Sequence, residues 1–261
     1  MNLQTSNSTY PHLEHPSTNH LSLIRQSIQL STSPKILLAD IDETLLRCNV
    51  KWFQSIQQIL ADQYPNLHRP EITYQDTLPF GYTSSYFRHH FNDKIIDQIV
   101  REIKDSDPAH SDLELFDKTS ASLIQEHSDL THSNWFLAGY LSARTEHIRS
   151  VTTGEITRHQ IISHTILRPS SKKSRQKTDQ FKPNVLYNGL SRHFPEKIFF
   201  FIDDSPKTIL AIQELNQPNL IGILMAGETT TGQLSHFNIS PKQIELQVKD
   251  WTQLDTLITR H

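Results

Sequence analysis

The chain carries one short grammar twice, and few folds accommodate it. Ile36 to Ala39 is an uninterrupted apolar run that stops at Asp40 and Asp42; Ile198 to Ile202 is another, stopping at Asp203 and Asp204. Apolar runs of this length that end abruptly in acid predict strands buried on both faces. Such strands belong to mostly parallel sheets wrapped by helices, where chemistry sits just past the carboxyl ends of the strands. Both acid pairs stand at that place. Neighbouring carboxylates repel unless a cation or a proton compensates them. One stretch alone reads as an Asp-rich turn; the two together point to a site.

Between them lies a third apolar stretch, Trp135 to Arg144, which ends in the hydroxyl of Ser142. After the second acid pair, Ser205 suits a helix N-cap and Pro206 the first helical position. The ordered set of acid strand, hydroxyl strand and acid strand resembles the haloacid dehalogenase (HAD) superfamily. Asp40, Asp42 and Thr44 match its D-x-D-x-T motif, Ser142 its second motif, and Asp203 with Asp204 its fourth. The likeness spans roughly Lys35 to Met225, and an ordered set of motifs is more specific than any one of them.

The resemblance implies an α/β, Rossmann-like core and a phosphatase acting through an aspartyl-phosphate. Asp40 would be the nucleophile and is expected to be ionised at neutral pH. Asp42 would be the general acid and then base, which asks for a raised pKa. Ser142 would donate to a phosphoryl oxygen, with Thr44 and Arg144 completing the phosphate-binding set. The third-motif lysine is expected at Lys182, which opens the helical stretch Phe181 to Leu190. Lys177, in the basic loop Pro169 to Lys177, is the alternative. Metal ligation falls to Asp40, to Asp42 through its backbone carbonyl and to one acid of the last pair, with Asp203 and Asp204 both open. Mg²⁺ suits an all-oxygen, strongly acidic set that must also receive a phosphate dianion. Asp42 also separates the phosphatases and phosphotransferases of the superfamily from its dehalogenases and P-type ATPases, which lack an acid there.

Between Thr44 and Ser142 lie 97 residues, whereas a crossover needs only about a dozen. Helical spacing at Trp52, Phe53, Ile56, Ile59 and Leu60, at Ile95, Ile96, Ile99, Val100 and Ile103, and more weakly from Phe116 to Ile124 predicts a helical cap inserted after the first strand. The expected division is a leader at 1–33, with a short helix at Leu21 to Leu30, a cap at 49–132, and a core at 34–48 and 133–261. His68 to Phe91 reads as loop, punctuated by Pro70, Pro79 and Gly81. Within it Tyr82, Tyr86, Phe87, Arg88, His89 and His90 are candidates for substrate contact. Downstream, Thr145 is expected to cap a helix ended by Gly154, Ile161 to Leu167 and Leu220 to Leu224 to be strands, and Ile244 to Val248 to alternate as a strand. Glu43 is expected to face solvent without a role, and Cys48 to pack.

A net charge of −3 gives no argument for nucleic acid. One cysteine excludes an internal disulfide and is compatible with a reducing compartment. No basic segment followed by an apolar one opens the chain, and no run approaches the roughly 20 apolar residues of a membrane helix. These features predict a soluble, cytoplasmic protein. The substrate is expected to be a phosphorylated protein or a small phosphorylated metabolite. A polar, low-glycine chain around D-D-S-P looks similar to HAD phosphotyrosine phosphatases that intracellular bacteria deliver into host cells as effectors. Transfer to an acceptor other than water and a silent phosphate-binding module are the alternatives. Nothing in the sequence speaks to oligomeric state.

Overall fold

The computed structural model describes residues 16–67, 70–104, 106–130, 134–161, 164–168 and 178–261. The expected leader up to residue 15 and the basic loop with Lys177 lie outside the described residues. A first helix, α1 (Pro16–Leu30), precedes strand β1 (Lys35–Ala39). The insertion follows: β2 (Leu46–Arg47), α2 (Asn49–Gln63), a 3₁₀ turn at Tyr74–Phe80, α3 (Thr83–His90), α4 (Asp93–Lys104), β3 (Glu114–Leu115) and α5 (Ser120–Glu126). The chain then alternates β4 (Phe136–Thr145), α6 (Arg149–Arg158), β5 (Thr165–Arg168), α7 (Thr178–Asn184), β6 (Ile198–Asp203), α8 (Pro206–Gln213), β7 (Leu220–Met225), α9 (Thr230–His236), β8 (Gln247–Val248) and α10 (Trp251–Arg260).

Six strands form one parallel sheet in the order β5-β4-β1-β6-β7-β8. β1 is central, and the chain leaves it first to one side and later to the other, which opens a crevice at the carboxyl ends of β1, β4 and β6. Apolar residues on both faces explain why these strands lie inside. Along β6, Phe199 and Phe201 pack with α1 and α7, and Phe200 and Ile202 with α5 and α10. β4 carries a bulge. Leu37 pairs with Leu137 but Leu38 pairs with Gly139, so Ala138 is the extra residue. After it Tyr140 faces the cluster that holds Leu137, and Leu141 the cluster that holds Ala138, the reverse of unbroken alternation. One inserted residue thus sets the faces taken from Tyr140 to Ser142, and a second register shift, against β5, follows between Ser142 and Thr145.

The inserted helices have their own apolar cluster. Phe53, Ile56 and Leu60 of α2 meet Tyr86 and Phe87 of α3 and Ile96, Ile99, Val100 and Ile103 of α4, and the cluster ends at Ala109. Leu113 and Ile124 belong to the core of the main sheet. Leu115, Phe116, Ala121 and Leu123 pack against that same core.

Several local expectations are corrected. The stretch read as loop contains a 3₁₀ turn and α3, because Thr83, Tyr86 and Phe87 find buried partners across the insertion. Gly154 does not end α6. The last turn is held by buried Ile156 and by Glu155, which pairs with Arg158 and accepts from the backbone N–H groups of Asp112 and Leu113. The alternation at Ile244 to Val248 yields only the two-residue β8. No helix among the described residues is long and apolar enough to cross a membrane.

Candidate active site

Strand pairing brings the motif residues to one edge. Ala39 lies opposite both Tyr140 and Ile202, so Asp40 leaves β1 flanked by the segment entering Ser142 and by Asp203 at the end of β6. The backbone N–H of Asp40 donates to the carbonyl of Ile202 at 2.8 Å, extending the ladder to the first acid. Ser205 caps α8 by accepting from the N–H of Thr208, with Pro206 at the first position. The Ser205 N–H donates to Asp203 Oδ1 at 2.8 Å, which locks the second acid pair to the helix start.

Asp40, Asp203 and Asp204 place one carboxylate oxygen each within 4.8 Å of one another. Lys182 from α7 reaches into them, with Nζ 2.8 Å from Asp40 Oδ2 and 2.7 Å from Asp203 Oδ2. Asp40, Lys182 and Asp203 are buried, Asp203 completely, and Asp204 is half-buried. With all three carboxylates ionised, the one ammonium would leave two negative charges on the cluster. Asp40 Oδ1 is buried without a hydrogen-bond partner. An orphaned carboxylate oxygen beside an excess of two negative charges fits a hard divalent cation such as Mg²⁺, which takes oxygen ligands.

Burial pushes the Asp40 carboxyl up to about 7; Lys182 opposes the shift and the neighbouring Asp203 and Asp42 add to it. The ionised state expected from an ordinary aspartate is therefore not free here. Burial, then the charges of Asp203 and Asp40, raise Asp204 strongly. Burial alone would lower Lys182, but the Asp203 and Asp40 charges outweigh it and hold the ammonium protonated.

Asp42 stands apart from this cluster. Its carboxylate is gripped by Arg144, with Oδ1 accepting from Nη2 at 2.6 Å and from Nε at 3.0 Å. Arg144 is buried and also donates to the Thr152 hydroxyl. Burial would raise the Asp42 pKa, yet the charge and hydrogen bonds of Arg144 prevail and lower it. The raised pKa anticipated for a general acid is thus reversed by a residue two positions past Ser142. Ser142 is buried, its hydroxyl accepting from the Arg144 N–H. Thr44 is buried with its hydroxyl unpartnered, and its carbonyl accepts from Trp251 of α10.

Of the cap candidates, only Tyr82 lies at the site, close to Asp204 and Ser205. Tyr86 and Phe87 are core of the insertion, Arg88 pairs with Asp97, and His89 and His90 stack locally. Glu43 is corrected: its Oε1 accepts from the N–H groups of Cys48 and Asn49 and so caps α2 from within the first motif. Cys48 packs, as expected. An open cleft of about 720 Å³ beside this turn is lined by Glu43, Arg47, Phe116, Lys118, Glu228 and Lys249, among others.

Solved structures share this architecture. A predicted phosphatase from Clostridium acetobutylicum aligns over 88% of this chain and 100% of its own at 13% identity and TM-score 0.53. A Clostridium difficile protein named "Putative Phosphatase" aligns over 87% and 99%, at 13% identity and TM-score 0.54. Protein tyrosine kinase A of Mycobacterium tuberculosis aligns over 87% and 99%, at 13% identity and TM-score 0.55. The chain has their fold. No family model matches the sequence, and no curated protein matches it. Since the fold carries both phosphatase and kinase names, function has to be argued from the site.

Two residues at the site carried no motif. Gln233 of α9 donates from Nε2 to Asp204 Oδ2 at 3.1 Å. His110 is buried, lies edge-on to Trp52 and feels Asp42 and Arg144; burial, then the Arg144 charge, push it down to about 4. Neither sits in an apolar period, so only the tertiary structure reveals them.

Proposed function

We propose that the chain hydrolyses phosphate monoesters with Mg²⁺ held by Asp40, Asp203 and Asp204, through an aspartyl-phosphate on Asp40. The observation that carries this reading is the cluster of three carboxylates, two of them on Lys182, with Asp40 Oδ1 buried and unpartnered. Bound there, the cation would offset the charge of the phosphate dianion and orient its oxygens.

The chain's own groups supply the rest. Asp40 attacks phosphorus; the new bond to its carboxylate forms as the ester P–O bond breaks, and the departing oxygen takes a proton. Water then attacks the acyl phosphate, its proton passing to a base, and inorganic phosphate leaves as the Asp40 carboxylate is restored. Lys182 stays charged throughout and faces the developing charge. Asp42, ionised against Arg144, is ready as the base of the second step. To protonate a leaving oxygen in the first step it must loosen its pairing with Arg144. The inserted helices act as a cap, reaching the site through Tyr82. That favours a slim phosphorylated metabolite or an aryl phosphate such as phosphotyrosine.

The test is phosphate release from p-nitrophenyl phosphate by wild type and by Asp40→Asn, with Mg²⁺ and with EDTA. Turnover lost in both the variant and EDTA supports the reading, and panels of metabolites and phosphotyrosine peptides would then rank substrates. Wild type that turns over nothing in either panel would overturn it.

A further inference from the structure

The acid cluster is reached from a direction the motifs do not predict. α9 follows β7, outside all four motifs, yet its Gln233 donates to Asp204 Oδ2. Gln233 is 1% exposed, and its other amide atom, Oε1, has no partner. The amide orientation follows from chemistry, because a carboxylate oxygen needs the nitrogen facing it. α9 is in turn pressed by the insertion. Gly81, at φ +74°, ends the 3₁₀ turn against Gly232. A Cβ on Gly81 would lie 2.4 Å from the backbone N of Gln233, and one on Gly232 would lie 2.3 Å from the carbonyl oxygen of Leu78. Two chain segments therefore touch backbone to backbone, and the residue after the contact holds Asp204. Tyr82, next to Gly81, packs its ring on His236 and Phe237 of the same segment.

We infer that Gln233 is a positioning residue for cation binding, fixed against Asp204 by the Gly81–Gly232 contact, so that docking of the inserted helices and metal affinity are linked. This rests on the metal reading above. Partners that orient a ligand from outside the coordination sphere set its rotamer, and their loss typically weakens metal binding by about 10- to 100-fold. Because the linkage is an equilibrium, it is reciprocal.

The test measures Mn²⁺ affinity by electron paramagnetic resonance, with Mg²⁺ competition, on the full chain well below its melting temperature. Gln233→Leu removes the donor and keeps most of the volume. Gly81→Ala leaves every acid and Gln233 unsubstituted but forces the two backbones apart. Gly154→Ala is the control, since a Cβ there meets nothing within 4 Å. The expected result is affinity at least about tenfold weaker in Gln233→Leu, a smaller loss in Gly81→Ala, and none in Gly154→Ala. Wild-type affinity in a folded Gln233→Leu would overturn the inference while leaving the metal reading intact. Unchanged affinity in Gly81→Ala alone would overturn the link to docking. A wild type that binds neither ion would overturn both.

Discussion

Asp40 should destabilise the very fold it serves, and the effect is measurable as a pH dependence. Its carboxyl is raised from 3.8 to about 7 in the folded, metal-free protein by burial, against the opposing pull of Lys182. An acid raised on folding binds more protons folded than unfolded between those values. Its contribution is therefore neutral below about pH 4, and stability is lost as pH rises toward 7. Between about pH 5.5 and 7.5 the loss integrates to about 2 kcal/mol. His110, pushed down to about 4, gives the opposite slope over part of this range, but it is common to wild type and variant, so subtraction removes it. Asp40→Asn keeps the shape and cannot ionise. In EDTA, denaturant titrations should show the variant gaining about 2 kcal/mol on wild type between those two pH values, about 4–8 °C in melting temperature for a chain of this size. With saturating Mg²⁺, which binds the ionised form, wild type should recover the difference. A wild-type-minus-variant difference that is flat with pH in EDTA, or that runs the other way, would refute the claim that Asp40 bears a poorly compensated charge.

Lys182→Met should cost about 3–5 kcal/mol in EDTA at neutral pH, since it strands Asp40 and Asp203 without their shared cation; equilibrium unfolding reads this directly. Glu43→Ala should cost about 1–2 kcal/mol by freeing two N–H groups at the start of α2. Hydrogen exchange there should rise with little change in β1. Arg144→Met should raise the Asp42 pKa and move the acid limb of the pH–rate profile upward, because the attraction that lowers it is gone; an unmoved limb would mean that Asp42 does not govern it.

What was legible in the sequence follows from how far apart the partners lie along the chain. β1 and β6 announce themselves because a strand buried on both faces must be apolar throughout, and an acid directly after it has few structural reasons to be there. Their positions at strand ends pointed to one edge for Asp40, Asp203 and Asp204, whereas Lys182 was singled out only by the resemblance, with Lys177 as the alternative. The Asp42–Arg144 pair spans 102 residues, and Arg144 follows one register shift in β4 and lies within a second, neither of which a local pattern signals. Glu43 looked like a surface turn because its acceptors' donors lie five and six residues on, across a turn entered at φ 54°. α3 and the end of α6 were misread for one reason: Gly81 and Gly154 look alike as punctuation, yet only Gly81 sits where a side chain has no room. The difference lies in what packs opposite.

The charges of the site divide in a way that joins stability to function. Of the four acids, Asp42 is neutralised by Arg144, and that pair is complete. Of the other three, Asp40 and Asp203 share Lys182, while Asp204 is held by the amide of Gln233; with all three ionised the set carries two more negative charges than Lys182 offsets. Had the surplus been structural, a second lysine or arginine would have offset it at little cost in volume. Instead one oxygen of Asp40 is buried without a partner and a glutamine, not a cation, is applied to Asp204. A neutral donor orients a carboxylate and leaves its charge available to something else. On the proposed metal reading, the fold gives up stability to keep a negatively charged pocket in which a divalent cation and a phosphate would bind more strongly together than either alone.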